Sequence, residues 1–134
     1  MRYFIALSIA VFISTSGSLL AQAPASAKTM KNPVAADAKS IDAGKALFAK
    51  SCSVCHGATG KGDGAIVKSL KPEATKPSDF TDAKWDHGST DGEIFTNIRD
   101  GIGPKFEMKA QKGKIMDNDI WNLVNYLKSL APKK

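Results

Sequence analysis

The sequence predicts an all-α domain of three main helices joined by long loops, and three observations carry that reading. The stretch at 117–130, DNDIWNLVNYLKSL, sets Ile120, Leu123, Val124, Leu127 and Leu130 on one face and Asn122, Asn125 and Ser129 on the other, the period of an amphipathic helix. Neither the long segment at 57–88 nor the stretch around Met108 shows the apolar–polar alternation of a strand. Both cysteines and one of the two histidines stand within five positions, in SCSVCHG at 51–57. Such a cluster points to one centre that a small chain surrounds.

The elements follow in order. Residues 1–27, MRYFIALSIAVFISTSGSLLAQAPASA, read as a secretory signal. Arg2 begins it, an apolar run from Tyr3 to Ile13 follows, and both Ala21-Gln22-Ala23 and Ala25-Ser26-Ala27 offer small-x-small cleavage patterns. The apolar run falls short of the roughly 20 residues a membrane span needs, so removal is expected, with retention as an anchor the alternative. Residues 28–39, KTMKNPVAADAK, are polar and aperiodic, and read as a flexible tail or tether. The domain proper is expected over 40–134.

The first helix is expected from Ile41 to Lys50, capped by Ser40 or Asp42, and it delivers the chain to Cys52. Gly44 and Phe48 share a face. A glycine inside a helix costs about 1 kcal/mol relative to alanine. Close approach by the last helix, through Trp121 and Tyr126, would justify that cost. The long segment at 57–88 is rich in Gly, Pro and Asp, a length unusual for a loop unless it covers something. The second helix is expected from Asp91 to Asp100, with Ser89 or Thr90 as cap and Gly101 as its end. The last helix begins with Asp117 as cap, and Met116 and Trp121 form a hydrophobic staple.

The chemistry lies in Cys52, Cys55 and His56. A disulfide across two intervening residues closes too small a loop to staple a fold. A redox-active pair belongs after a strand, and none precedes Cys52. A structural zinc site needs four ligands, and His87 is the one histidine left. C-x-x-C-H is the covalent haem attachment signature. Both thiols lie about one helical turn apart and can each bond one vinyl group, while His56 follows as proximal iron ligand. The distal face can take Met, His or nothing. His87, Met108 and Met116 are the candidates, with lysines as outsiders. Met116 has the staple to make and His87 sits in a turn. Met108 lies in GIGPKFEMKAQKGK, an aperiodic loop with no core role, and is the favoured sixth ligand.

The pieces FAKSCSVCHGATGKGDG, SLKP, SDFTDAKW, TDGEIFTNIRDGI and DIWNLVNYLKSL, in that order, resemble the small soluble class I cytochromes c of bacteria, over about residues 41 to 130. The resemblance implies a cytochrome c-like fold, all-helical, wrapped around one covalently attached haem c. It implies a close crossing of first and last helices through Gly44, Phe48 and Tyr126. It also implies that His56 gives its second nitrogen to the carbonyl of Pro72. One departure is Met108-Lys109, where the family often carries Met-Pro.

The expected function is one-electron transfer rather than catalysis, in the periplasm, between respiratory or dehydrogenase partners. The alternatives are a haem enzyme or gas sensor with an open sixth site, and a dedicated subunit of a larger dehydrogenase. The net charge of +6, or +5 without Arg2, comes with no long basic run, so nucleic acid is excluded as partner. Lys105, Lys109, Lys112 and Lys114 around Met108, with Glu107 the one acid among them, suit a redox partner with an acidic docking surface. Contact with a membrane is expected only through partner complexes or a retained signal.

Overall fold

The structure is a computed structural model, and it describes residues 24–82, 84–103 and 108–132. Among the described residues four α-helices carry it: α1 (Ala38–Ser51), α2 (Ser53–His56), α3 (Asp91–Asp100) and α4 (Asp117–Leu130). Short 3-10 turns at Ala25–Thr29 and Ala65–Ser69 complete the set. Among the described residues there is no strand, and β-pairing is limited to isolated bridges of Ile102 with Met108 and of Lys112 with Ile115. The fold is all-α, as the periodicity predicts. None of the described helices is long and apolar enough to cross a membrane.

Local chemistry sets the ends. Helix α1 starts three residues earlier than expected, because Asp37 is the cap: its Oδ1 accepts from the Ser40 N–H at 2.8 Å. Ser40 is instead buried, donating its hydroxyl to Asn122 Oδ1 at 2.7 Å. Helix α3 has the expected bounds and a full capping box, in which the Thr90 hydroxyl accepts from the Glu93 N–H and the Glu93 carboxylate accepts from the Thr90 N–H. The expected start of α4 is corrected by one residue. Met116 occupies the cap position, Asp117 is the first helical residue, and no side chain caps the end. The staple is not made either. Met116 is 73% exposed, and Trp121 instead stacks on Phe95 of α3, with centroids 4.0 Å apart and planes 15° apart.

Helices α1 and α4 cross closely at Gly44, and Phe48 meets Tyr126 there with ring centroids 5.3 Å apart. Helix α3 packs on the other side of α4, so that Phe48, Ile94, Phe95, Ile98, Ile120, Trp121, Leu123, Val124, Tyr126 and Leu127 form one core.

Residues 28–39 differ from the tether that composition alone predicts. Ala27 is 1% exposed, and Met30 and Val34 pack on the core. Asn32 donates its Nδ2 to the Trp121 carbonyl at 3.0 Å and to Asn125 Oδ1 at 2.8 Å. Its main-chain N–H reaches Asp91 Oδ2 at 3.1 Å. Asn125 in turn points its Nδ2 at the carbonyls of Val34 and Ala35 and at Ser40 Oγ. The segment is a strap across α3 and α4, held by hydrogen bonds between polar residues that look solvated in the sequence.

Candidate cofactor site

Cys52 ends α1 and begins α2, its N–H bonded to the Phe48 carbonyl at 2.8 Å. Its own carbonyl accepts from the N–H groups of Cys55 and His56 at 3.1 and 3.0 Å. The motif is therefore one helical turn. Cys52 and His56, four apart, face the same way into a cleft enclosing about 630 Å³ of space partly open to solvent. Cys55 is half-buried on the same turn but does not line the cleft, and both thiols are unpaired.

The other walls are mainly apolar, although Asp79, Asp86, His87 and Asn97 also border the cleft. Phe48 lies beside the motif, Ile94 and Ile98 come from α3, and Leu123 and Leu127 come from α4. The long loop contributes Phe80 and Trp85, whose rings lie 5.4 Å apart. Sequence reasoning missed these two aromatics. The available signal was that they are the two aromatic residues apart from His87 in a segment rich in Gly, Pro and Asp.

Met108 lines the same cleft. Its position follows from the end of α3. Gly101 terminates the helix with φ of 82°, a left-handed conformation that favours glycine. A β-carbon there would lie 2.6 Å from the Met108 carbonyl oxygen and 2.9 Å from the Ala110 nitrogen. Ile102 then pairs with Met108, its N–H donating to the Met108 carbonyl at 2.9 Å. Farther on, Gln111 and Lys112 donate to the carbonyls of Ile98 and Arg99. The loop is thus sewn to the open end of α3. Lys105 and Glu107 lie outside the described residues.

Of the other candidate ligands, Met116 is turned to solvent. His87, expected in a surface turn, is exposed and also borders the cleft. The partner expected for His56 is corrected: Nδ1 faces the carbonyl of Ser78, at 3.4 Å, rather than that of Pro72. The chain from Pro77 onward runs beside the motif, with the Phe80 N–H bonded to the Gly60 carbonyl at 2.8 Å, which brings Ser78 to the ring.

Electrostatics favour a neutral ligand set. Burial lowers the His56 pKa, with the Ser78 carbonyl acting in the opposite sense, so the imidazole stays in its neutral, ligating form. Burial, and secondarily Cys55, push the Cys52 thiol up to about 11. That is the reverse of the electropositive setting that activates a redox cysteine.

The model of the cytochrome c family matches residues 41–131. The chain belongs to that family. A cytochrome c6 from Gracilaria tenuistipitata var. liui is 34% identical over 91 residues, which cover 67% of this chain and 72% of the relative. The CcoP subunit of a cbb3-type cytochrome c oxidase from Rubrivivax gelatinosus is 33% identical over 113 residues, 81% of this chain. The chain spans only 33% of that subunit's length. Among solved structures, a chain of the Kuenenia stuttgartiensis reducing HAO-like protein complex matches with a TM-score of 0.65 and 27% identity, over 75% of this chain and 47% of that one.

Membership in the cytochrome c family carries haem c as cofactor and haem-based electron transfer as function. The residues present fit such a group. The cleft is walled by aliphatic and aromatic side chains, as a large apolar disc requires, and a neutral imidazole and a thioether open onto it.

Proposed function

We propose that this cytochrome c is a mono-haem one-electron carrier. Cys52 and Cys55 would hold the haem by thioether bonds, and His56 and Met108 would hold its iron. When bound, the haem supplies an iron that cycles between ferrous and ferric states. The observation that carries this reading is the shared cleft of Cys52, His56 and Met108. Were His56 and Met108 both to hold the iron, no ligand position would be left for a substrate, which favours transfer over catalysis. The protein's task is then to keep both ligands in place and water out. The apolar walls from α3 and α4 do the second. The α1–α2 junction and the loop sewn to α3 do the first.

An export signal would fit the same role. The signal at 1–27 lies outside the described residues apart from its last four, and a periplasmic chain would exchange electrons with redox proteins on the outer side of the membrane. A second reading, in which the chain works as a dedicated cytochrome subunit, is favoured by the likeness to CcoP and to a chain of the Kuenenia complex. Stable co-purification with a larger redox enzyme would favour it over a free shuttle.

Carbon monoxide tests the ligand assignment. The visible spectrum of the ferrous wild type and of Met116→Ala stays unchanged on adding the gas, whereas Met108→Ala binds it. Rapid binding by the wild type would overturn the carrier reading in favour of an open-site haem protein.

A further inference from the structure

We infer that Phe80 is a positioning residue that fixes the plane of the His56 imidazole, and through it the electronic state of the iron. The inference rests on the assignment of His56 as an axial ligand. Its physical basis is a stack: the two rings have centroids 4.8 Å apart and planes 29° apart. Phe80 is itself immobilised from several sides. Its N–H is bonded to the Gly60 carbonyl at 2.8 Å, and Gly60 bonds back to Gly57, the residue after His56. Its ring is braced by Trp85 at 5.4 Å and edge-on by Phe48 at 6.5 Å.

Two contacts therefore act on the imidazole. The Ser78 carbonyl meets its edge at Nδ1, which selects the tautomer with Nε2 free for the metal. At 3.4 Å that hydrogen bond is too long to hold the ring's rotation tightly. The flat face of Phe80 restrains what the hydrogen bond does not, because turning the imidazole about its Cβ–Cγ bond drives it into the stacked ring. The orientation of a ligating imidazole plane contributes to the splitting of the iron d orbitals. It is therefore readable in the ferric spectrum, independently of electron-transfer rate.

The test uses the full haem-loaded chain and compares the hyperfine-shifted proton signals of the four haem methyl groups, with the low-field EPR g value as second readout. Phe80→Leu is expected to change the order and spread of the methyl signals and to shift the g value. Phe80→Tyr, which keeps the flat ring, retains the wild-type pattern. Trp85→Leu, which removes a brace and leaves Phe80 in place, displaces the pattern in the same direction by a smaller amount. Ile120→Val, in the core and off the cleft, lowers the melting temperature without moving either readout. A Phe80→Leu protein that melts earlier yet keeps the wild-type methyl order and g value would reduce Phe80 to a space-filler and overturn the inference. If Phe80→Leu does not load haem, an unmoved pattern in Trp85→Leu has the same effect. Absence of a low-spin ferric signal in the wild type would instead overturn the axial-ligand reading beneath it.

Discussion

Gly44 of α1 lies directly against the main chain of Asn122 in α4. A β-carbon at 44 would fall 2.7 Å from the Asn122 carbonyl carbon and 2.8 Å from Tyr126 Cβ. The obstacle is backbone, which cannot rotate aside, so the two helices can approach this closely only with glycine at the crossing. The same crossing brings Phe48 to Tyr126 and sets the end of α1, with Cys52, at the mouth of the cleft.

Gly44→Ala is therefore expected to destabilise the protein. Overpacking costs about 1–3 kcal/mol, offset by about 1 kcal/mol of improved helix propensity. Because the helices must part along their length, the net effect stays unfavourable. Thermal melting of the haem-loaded protein should fall by several degrees; an unchanged or raised melting temperature would contradict the packing argument.

Asn125→Ala removes the hub of the strap. The side chain is 7% exposed and joins Asn32, Val34, Ala35 and Ser40. Its loss leaves buried donors and acceptors unpaired, at about 1–3 kcal/mol. A lower denaturant midpoint is expected, together with faster proteolysis at residues 28–36. The proteolysis distinguishes release of the strap from general destabilisation, which Ile120→Val would cause without selective cleavage there.

Asp91 links the strap to both helices, accepting from Lys128 and from the Asn32 N–H. Burial would raise its pKa, but these hydrogen bonds and the Lys128 and Lys31 charges together hold it below the ordinary carboxylate value. A depressed folded pKa means that the ionised group stabilises the fold above its unfolded pKa. That contribution is lost as pH falls through the lowered folded value. Asp91→Asn is expected to be less stable at neutral pH and to lose less stability on acidification to about pH 3. Denaturant titrations at both pH values check this, and parallel curves for the two proteins would refute it.

Gly101→Ala strains a position of positive φ and extended ψ, by about 1–3 kcal/mol, at the point where the Met108 loop rests on α3. The predicted readout is at the iron rather than in the core. Carbon monoxide should bind the ferrous variant measurably while binding to the wild type stays undetectable.

Lys109, Lys112 and Lys114 are exposed beside Met108. Reversing Lys112 and Lys114 to Glu is expected to slow electron transfer to an acidic redox protein about tenfold at low ionic strength, with the difference vanishing in high salt. Equal rates at low salt would discard this face as the docking surface.

The legibility of the chain divides along physical lines. The period of α4, the bounds of α3 and the turn Cys52–His56 are written in residues within a few positions of one another, and all are readable from the sequence. Pro72 as partner of His56 came from a family pattern, and the path of this chain's long loop brings Ser78 to the ring instead. The staple of Met116 on Trp121 satisfied spacing rules, but a stronger partner, Phe95, reached the indole from another helix. Asn32 and Asn125 look like solvent-facing polar residues until two helices and the strap enclose them.

By itself the sequence determined the helices, the haem-attachment signature and the family, because hydrophobic period, capping and C-x-x-C-H are local patterns. Only the tertiary structure decided that the strap is anchored, that Ser78 and Phe80 meet His56 at its edge and its face, and that Met108 rather than Met116 turns into the cleft. These relationships join residues far apart in the chain. Their geometry comes into being only when packing has excluded the alternatives, and polar or loop residues carry no mark of which side of that packing they will occupy.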